Sequence, residues 1–133
     1  MRAQAYQRTQ TETASRERIL VLLLQAARRN LASASELLAQ GNVRGAEPHT
    51  RKVIDIVTEL NASLDPRHAP ELVEQLSAVY TFVLRCLFVA ATGNQQSLAD
   101  ATRAFLPIVE AFEIAVAQQA TQKAAPVAAL ATR

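Results

Sequence analysis

The side chains able to do chemistry in this 133-residue chain are few, and their spacing suits almost no reaction. There are two histidines and one cysteine. A di-iron centre in a helical bundle needs inward Glu residues and Glu-x-x-His pairs on facing helices. His49 follows Pro48 and His68 follows Asp65 by three positions in a loop-like stretch, so neither completes such a pair. Glu71/Glu74 and Glu110/Glu113 are acidic pairs without a histidine partner, and they read as exposed helix faces. Cys86 sits in Leu84-Arg85-Cys86-Leu87-Phe88, the setting of a buried thiol rather than an activated nucleophile. No Gly-x-Ser-x-Gly turn surrounds a serine, and the three glycines build no phosphate-cradling loop. The sequence therefore predicts a non-enzymatic protein with no metal and no cofactor.

Charge narrows the partners. The formal charge is +2, too small to imply nucleic-acid binding. Residues 1–29 hold six Arg against two Glu, but Arg28-Arg29 and Arg51-Lys52 are isolated dipeptides with no interleaved aromatics to stack bases. One cysteine excludes an internal disulfide framework and fits a reducing compartment. Near the amino end the longest wholly apolar run is Ile19-Leu20-Val21-Leu22-Leu23-Leu24. A bilayer span needs ~20 such residues and a secretory leader ~7–15. The expectation is a cytoplasmic protein without membrane insertion or nucleic-acid partner.

The elements follow from periodicity. Alanine fills 26 positions, leucine 16 and glycine three, which favours helix and starves β-turns. Residues 1–14 are polar apart from Tyr6 and predict a flexible amino-terminal cap segment. Ser15 is the candidate N-cap of a first helix whose stripe reads Leu20, Leu23, Leu24, Ala27, Leu31, Ala34, Leu38, closed by Gly41. The second stripe is Val53, Val57, Leu60, Leu64, with a kink or separate first turn expected before Pro48 and an end near Leu64. Pro70 suits the first position of a third helix, with Leu72, Leu76, Val79, Val83, Leu87 and Ala90 inside and Gly93 closing it. Asn94 can cap a fourth, with Leu98, Ala101, Phe105, Ile108, Phe112 and Ala115 inside and a bend at Pro107. The reading is an all-α protein: an antiparallel four-helix bundle over 15–120 and a disordered tail over 121–133.

Apolar residues exceed what such a bundle needs. A bundle helix requires a stripe of about 3/7 of its positions. Between Ala78 and Ala91 only Thr81 and Arg85 are clearly polar. Tyr80, Leu84 and Phe88 lie on one flank of the inner stripe, and Phe82 and Val89 on another. Ile19, Val21 and Leu22 are surplus in the first helix, as is Ile54 in the second. Either the third helix is the most enclosed one, with the chain ends packed over it, or these side chains line grooves for a partner's amphipathic segment.

The chain resembles the flagellin-specific export chaperones of bacterial flagella, the FliS family. The resemblance starts at Ala5-Tyr6-Gln7 and Thr13-Ala14-Ser15 and continues through Leu38-Ala39-Gln40-Gly41-Asn42. Its most specific stretch runs from Lys52 through Ile54-Asp55-Ile56 to Leu60, then Asn61-Ala62-Ser63-Leu64-Asp65. Tyr80-Thr81-Phe82 matches the family's aromatic-x-aromatic pattern, and Phe112 stands where the family usually has Trp. The resemblance implies a cytosolic chaperone that binds the disordered carboxy-terminal segment of flagellin. It would block premature polymerisation and keep flagellin competent for the flagellar type III export apparatus, with other flagellar regulators as further possible partners. On that footing Ile19, Leu22, Ile54, Phe82, Phe88 and Val89 are expected client contacts. Tyr6 is expected to act as a self-capping plug. The alternative is a homodimeric helical adaptor that buries the same surplus against a second copy.

Overall fold

The computed structural model describes residues 2–122, with side chains described at 15–118 and at Gln4, Arg8 and Glu12. The expected tail beyond residue 122 lies outside the described residues. Four helices follow in order: α1 (Arg2–Ala39), α2 (Val43–Ala62), α3 (Pro70–Ala90) and α4 (Gln95–Gln122). Each packs on two neighbours, α1 on α2 and α4, α3 on α2 and α4, so the four close an antiparallel bundle around one core.

Two turns reverse the chain. Gly41 and Gly93 both adopt positive φ, 75° and 106°, the left-handed conformation that ends a helix and carries a strain for residues with a Cβ. Gly93 has a second constraint, because a Cβ there would come within 3.0 Å of the Val43 side chain. Asn42 and Asn94 then cap the following helices, accepting from the backbone N–H of Gly45 at 2.8 Å and of Ser97 at 2.9 Å. Gly45 has no room for a side chain, since a Cβ would lie 2.5 Å from the Asn42 amide nitrogen.

Several helix limits differ from the sequence expectation. Ser15 is not a cap; it is an exposed residue within α1, which begins at Arg2. The segment before it lacks a core stripe but also lacks Gly and Pro. A helix already anchored in the bundle extends through such residues without a second nucleation step. Pro48 neither kinks off a separate turn nor delays α2, which runs unbroken from Val43. Its missing N–H leaves the carbonyl of Arg44 without a helical donor, and Arg44 is exposed to water. α2 stops at Ala62, two residues early, where Ser63 donates its hydroxyl to the Leu60 carbonyl at 2.9 Å. Pro70 does open α3, and α4 continues through Pro107.

The core takes Leu24, Ala27, Leu31, Ala34 and Leu38 from α1 and Val53, Ile56, Val57 and Leu60 from α2. Val83, Leu87 and Ala90 join from α3, and Leu98, Ala101, Phe105 and Phe112 from α4. Several assignments change. Leu20, Leu23, Leu72, Leu76 and Val79, expected inside, are only partly buried at the edge of the core, and Ala115 is half-buried. Tyr80, expected on a flank, is buried, its ring 6.4 Å from that of Phe105 in a tilted pair. Val109 is buried where Ile108 was expected, and Ile108 is only partly covered.

Candidate functional site

The surplus side chains divide cleanly. Ile19 and Leu22 are 56% and 55% exposed, and Phe82, Phe88 and Val89 are 48%, 61% and 47% exposed. Ile54 is partly buried against the core. Scattered apolar side chains are ordinary on a protein surface, so what matters is which of these lie together. Val43 and Ile114 are also exposed, and neither was singled out from the sequence. Val43 stands outside its helix's clear stripe, and Ile114 lies two positions past Phe112, off the buried line.

The six predicted contacts do not form one patch. Phe82 and Val89 are seven residues apart and share a face of α3, with Phe88 about 100° round from Val89. Val43 joins their end of the bundle through its place beside Gly93. Ile19 and Leu22 lie on α1, which packs on α2 and α4 and sits diagonally across from α3. Tyr6 belongs to α1 by its backbone, but its side chain lies outside the described residues.

On the outer side of α3 an open groove of about 560 Å³ runs past Pro66, Pro70, Val73, Ala78, Phe82 and Arg85. Its lining is mostly apolar, with Glu74 and Arg85 as charged margins. α3 is also long and apolar enough to span a bilayer by length and composition, yet only 22% of its most apolar window is buried in the bundle. Most of its other apolar residues, Leu72, Val73, Leu76, Val79 and Leu84, pack partly buried against the core, and Phe82, Phe88 and Val89 are the ones left outward.

One end of the groove is built by the loop between α2 and α3. Asp65 is buried at 2% exposure although charged. Arg67 holds it with its backbone N–H and Nε, each 3.0 Å from Oδ1, and with Nη2 at 2.8 Å from Oδ2. His68 adds Nε2 at 3.5 Å. These bonds from Arg67 hold the Asp65 carboxyl far below the usual carboxylate range, and Asp65 in turn pushes the Arg67 guanidinium up. The clasp around the buried carboxylate is thus the Asp65–Arg67 ion pair, with the His68 ring beside it.

The remaining reactive groups are quiet. Burial pushes the half-buried Cys86 thiol and the Tyr80 phenol up, so both stay protonated near neutral pH. Glu113, expected on an exposed helix face, is half-buried and accepts from Arg28 across the α1–α4 seam at 2.6 Å. Among the described residues no three His, Cys, Asp or Glu side chains gather where a metal would sit. What the arrangement offers is apolar surface for another chain.

No curated protein matches the sequence. A family model described as flagellar protein FliS matches residues 1–120, nearly all of the described helices. A cap-and-glycine helical bundle that leaves its third helix greasy on the outside is the form in which the chain meets that match, and the chain belongs to the FliS family of flagellar chaperones.

Proposed function

We propose that this chaperone binds the disordered carboxy-terminal segment of flagellin, prevents its premature polymerisation and holds it competent for type III export from the cytoplasm. The observation that carries the reading is the open apolar face of α3, Phe82, Phe88 and Val89, in a member of a flagellar family. Covering a side chain of this size is worth roughly 1.5–3 kcal/mol. Three or more of them offset the ordering of a disordered client only over a long contact, which favours a wrapped helix over a small pocket. Ile19 and Leu22 extend the contact onto the opposite side of the bundle, and Ile54 contributes an edge. Tyr6 competes with the client for this surface, and reaching it requires the first turns of α1 to depart from the bundle axis.

Calorimetric titration with the flagellin carboxy-terminal peptide of the same organism tests the reading. Phe82→Asp is expected to weaken binding by at least about tenfold, the equivalent of about 1.4 kcal/mol, with the helical circular-dichroism signal retained. Lys52→Glu, on the polar outer face of α2, is expected to leave binding unchanged. Binding that survives Phe82→Asp would sink the assignment of this face. A tight dimer in sedimentation, insensitive to the peptide, would favour self-association through the same surface.

A further inference from the structure

An apolar groove alone specifies register poorly. An amphipathic helix repeats its apolar face nearly every turn, so a shift of ~5.4 Å along the groove puts similar side chains back into it. Something at an end has to break that degeneracy. Pro66 is exposed, lines the groove, and stands between the two residues that the clasp joins. Pro70 begins α3 just beyond it and lines the groove as well. Proline has a fixed φ and no backbone N–H, so the pair makes an apolar wall that neither bends readily nor offers a donor. Asp65 anchors this loop inward, while the Arg67 side chain, 81% exposed, closes over it from outside.

We propose that the Asp65–Arg67 clasp is a positioning device, holding Pro66 as a rigid stop at one end of the α3 groove and so setting the register of the bound flagellin helix. The proposal rests on the flagellin reading above and adds to it where along α3 the client must end. Arg67 and Asp65 act through Pro66 and need not touch the client.

The test uses the full chain and a flagellin carboxy-terminal peptide carrying one photo-cross-linking residue, with the cross-linked position on α3 mapped by mass spectrometry. The wild-type protein is expected to give one cross-link centre. Arg67→Ala removes an exposed side chain and keeps the fold, checked by circular dichroism. It is expected to spread the cross-links to positions a helical turn apart and to lower affinity by about threefold to tenfold, the cost of lost preorganisation. Arg67→Lys, which keeps the charge but loses the forked geometry, should fall between the two. A merely structural clasp would lower stability and leave the cross-link centre in place, and that result, with affinity within twofold of wild type, overturns the proposal. No binding by the wild-type protein overturns the flagellin reading itself, and this proposal with it.

Discussion

α2 and α3 are nearly the same length, 20 and 21 residues, and both sit between two neighbours in the bundle. The more polar of the two is the better buried. α2 hides Ala46, Thr50, Val53, Ile56, Val57 and Leu60 and shows water Arg51, Lys52, Asp55, Thr58 and Glu59. α3 hides only Tyr80, Val83, Leu87 and Ala90 and shows Phe82, Phe88 and Val89. Apolar content and burial are therefore separate properties here. α2 turns its apolar residues to the core; α3 also turns Phe82, Phe88 and Val89 outward, where the bundle leaves them about half exposed.

The sharpest way to break this contrast is to compare an inner with an outer phenylalanine. Phe105 is fully buried against Tyr80, and Phe105→Ala is expected to lower the unfolding free energy by about 3–5 kcal/mol in urea titrations. Phe88→Ala is expected to change it by less than about 0.5 kcal/mol. Similar losses for both would mean that α3 has no free face. A smaller effect tests how α2 earns its order: Asn42→Ala removes the cap bond to Gly45 and should cost about 1 kcal/mol, read by the same titration. The smallest concerns the loop that joins the two helices. The Asp65 carboxyl is held low in the folded state by Arg67, so its contribution is complete above the unfolded value of about 3.9 and fades as pH falls below it. The stability gap between wild type and Asp65→Asn should accordingly be widest near neutral pH and shrink in acid. A gap independent of pH would show that the clasp is not ionic.

Much of the scaffold was legible because its signals are local. Gly41, Pro70, Gly93 and Asn94 each act through their own backbone or a neighbour three residues away, and the turns lie where these residues put them; the start of α2 at Val43 behind the Asn42 cap was not expected, because Pro48 argued for a later one. The all-α bundle followed from stripes that tertiary contacts did not override. Misreadings arose where the answer depends on other helices. Tyr80 and Phe88 lie eight residues apart on neighbouring lines of α3, and the packing of α2 and α4, with Phe105 beside Tyr80, makes one core and leaves the other at the surface. Val109 displaced Ile108 by the same kind of small rotation. Ser15 had the chemistry of a cap but no break before it for a helix to start from. The outward set Ile19, Leu22, Phe82, Phe88 and Val89 was visible as surplus, yet its division between opposite sides of the bundle was not. The wall made by Pro66 and Pro70 was out of reach too, because it depends on how the loop between α2 and α3 folds against the third helix.

The length of α1 has a consequence of its own. At ~1.5 Å per residue its 38 residues run far beyond the reach of α2, which has 20 and starts from the same turn. The first turns of α1 therefore continue a helix whose costly nucleus already lies in the bundle, and each added residue closes one further backbone hydrogen bond. The amino-terminal backbone thus reaches past the end of α2 as part of one continuous rod, set in line by the packed helix that it prolongs.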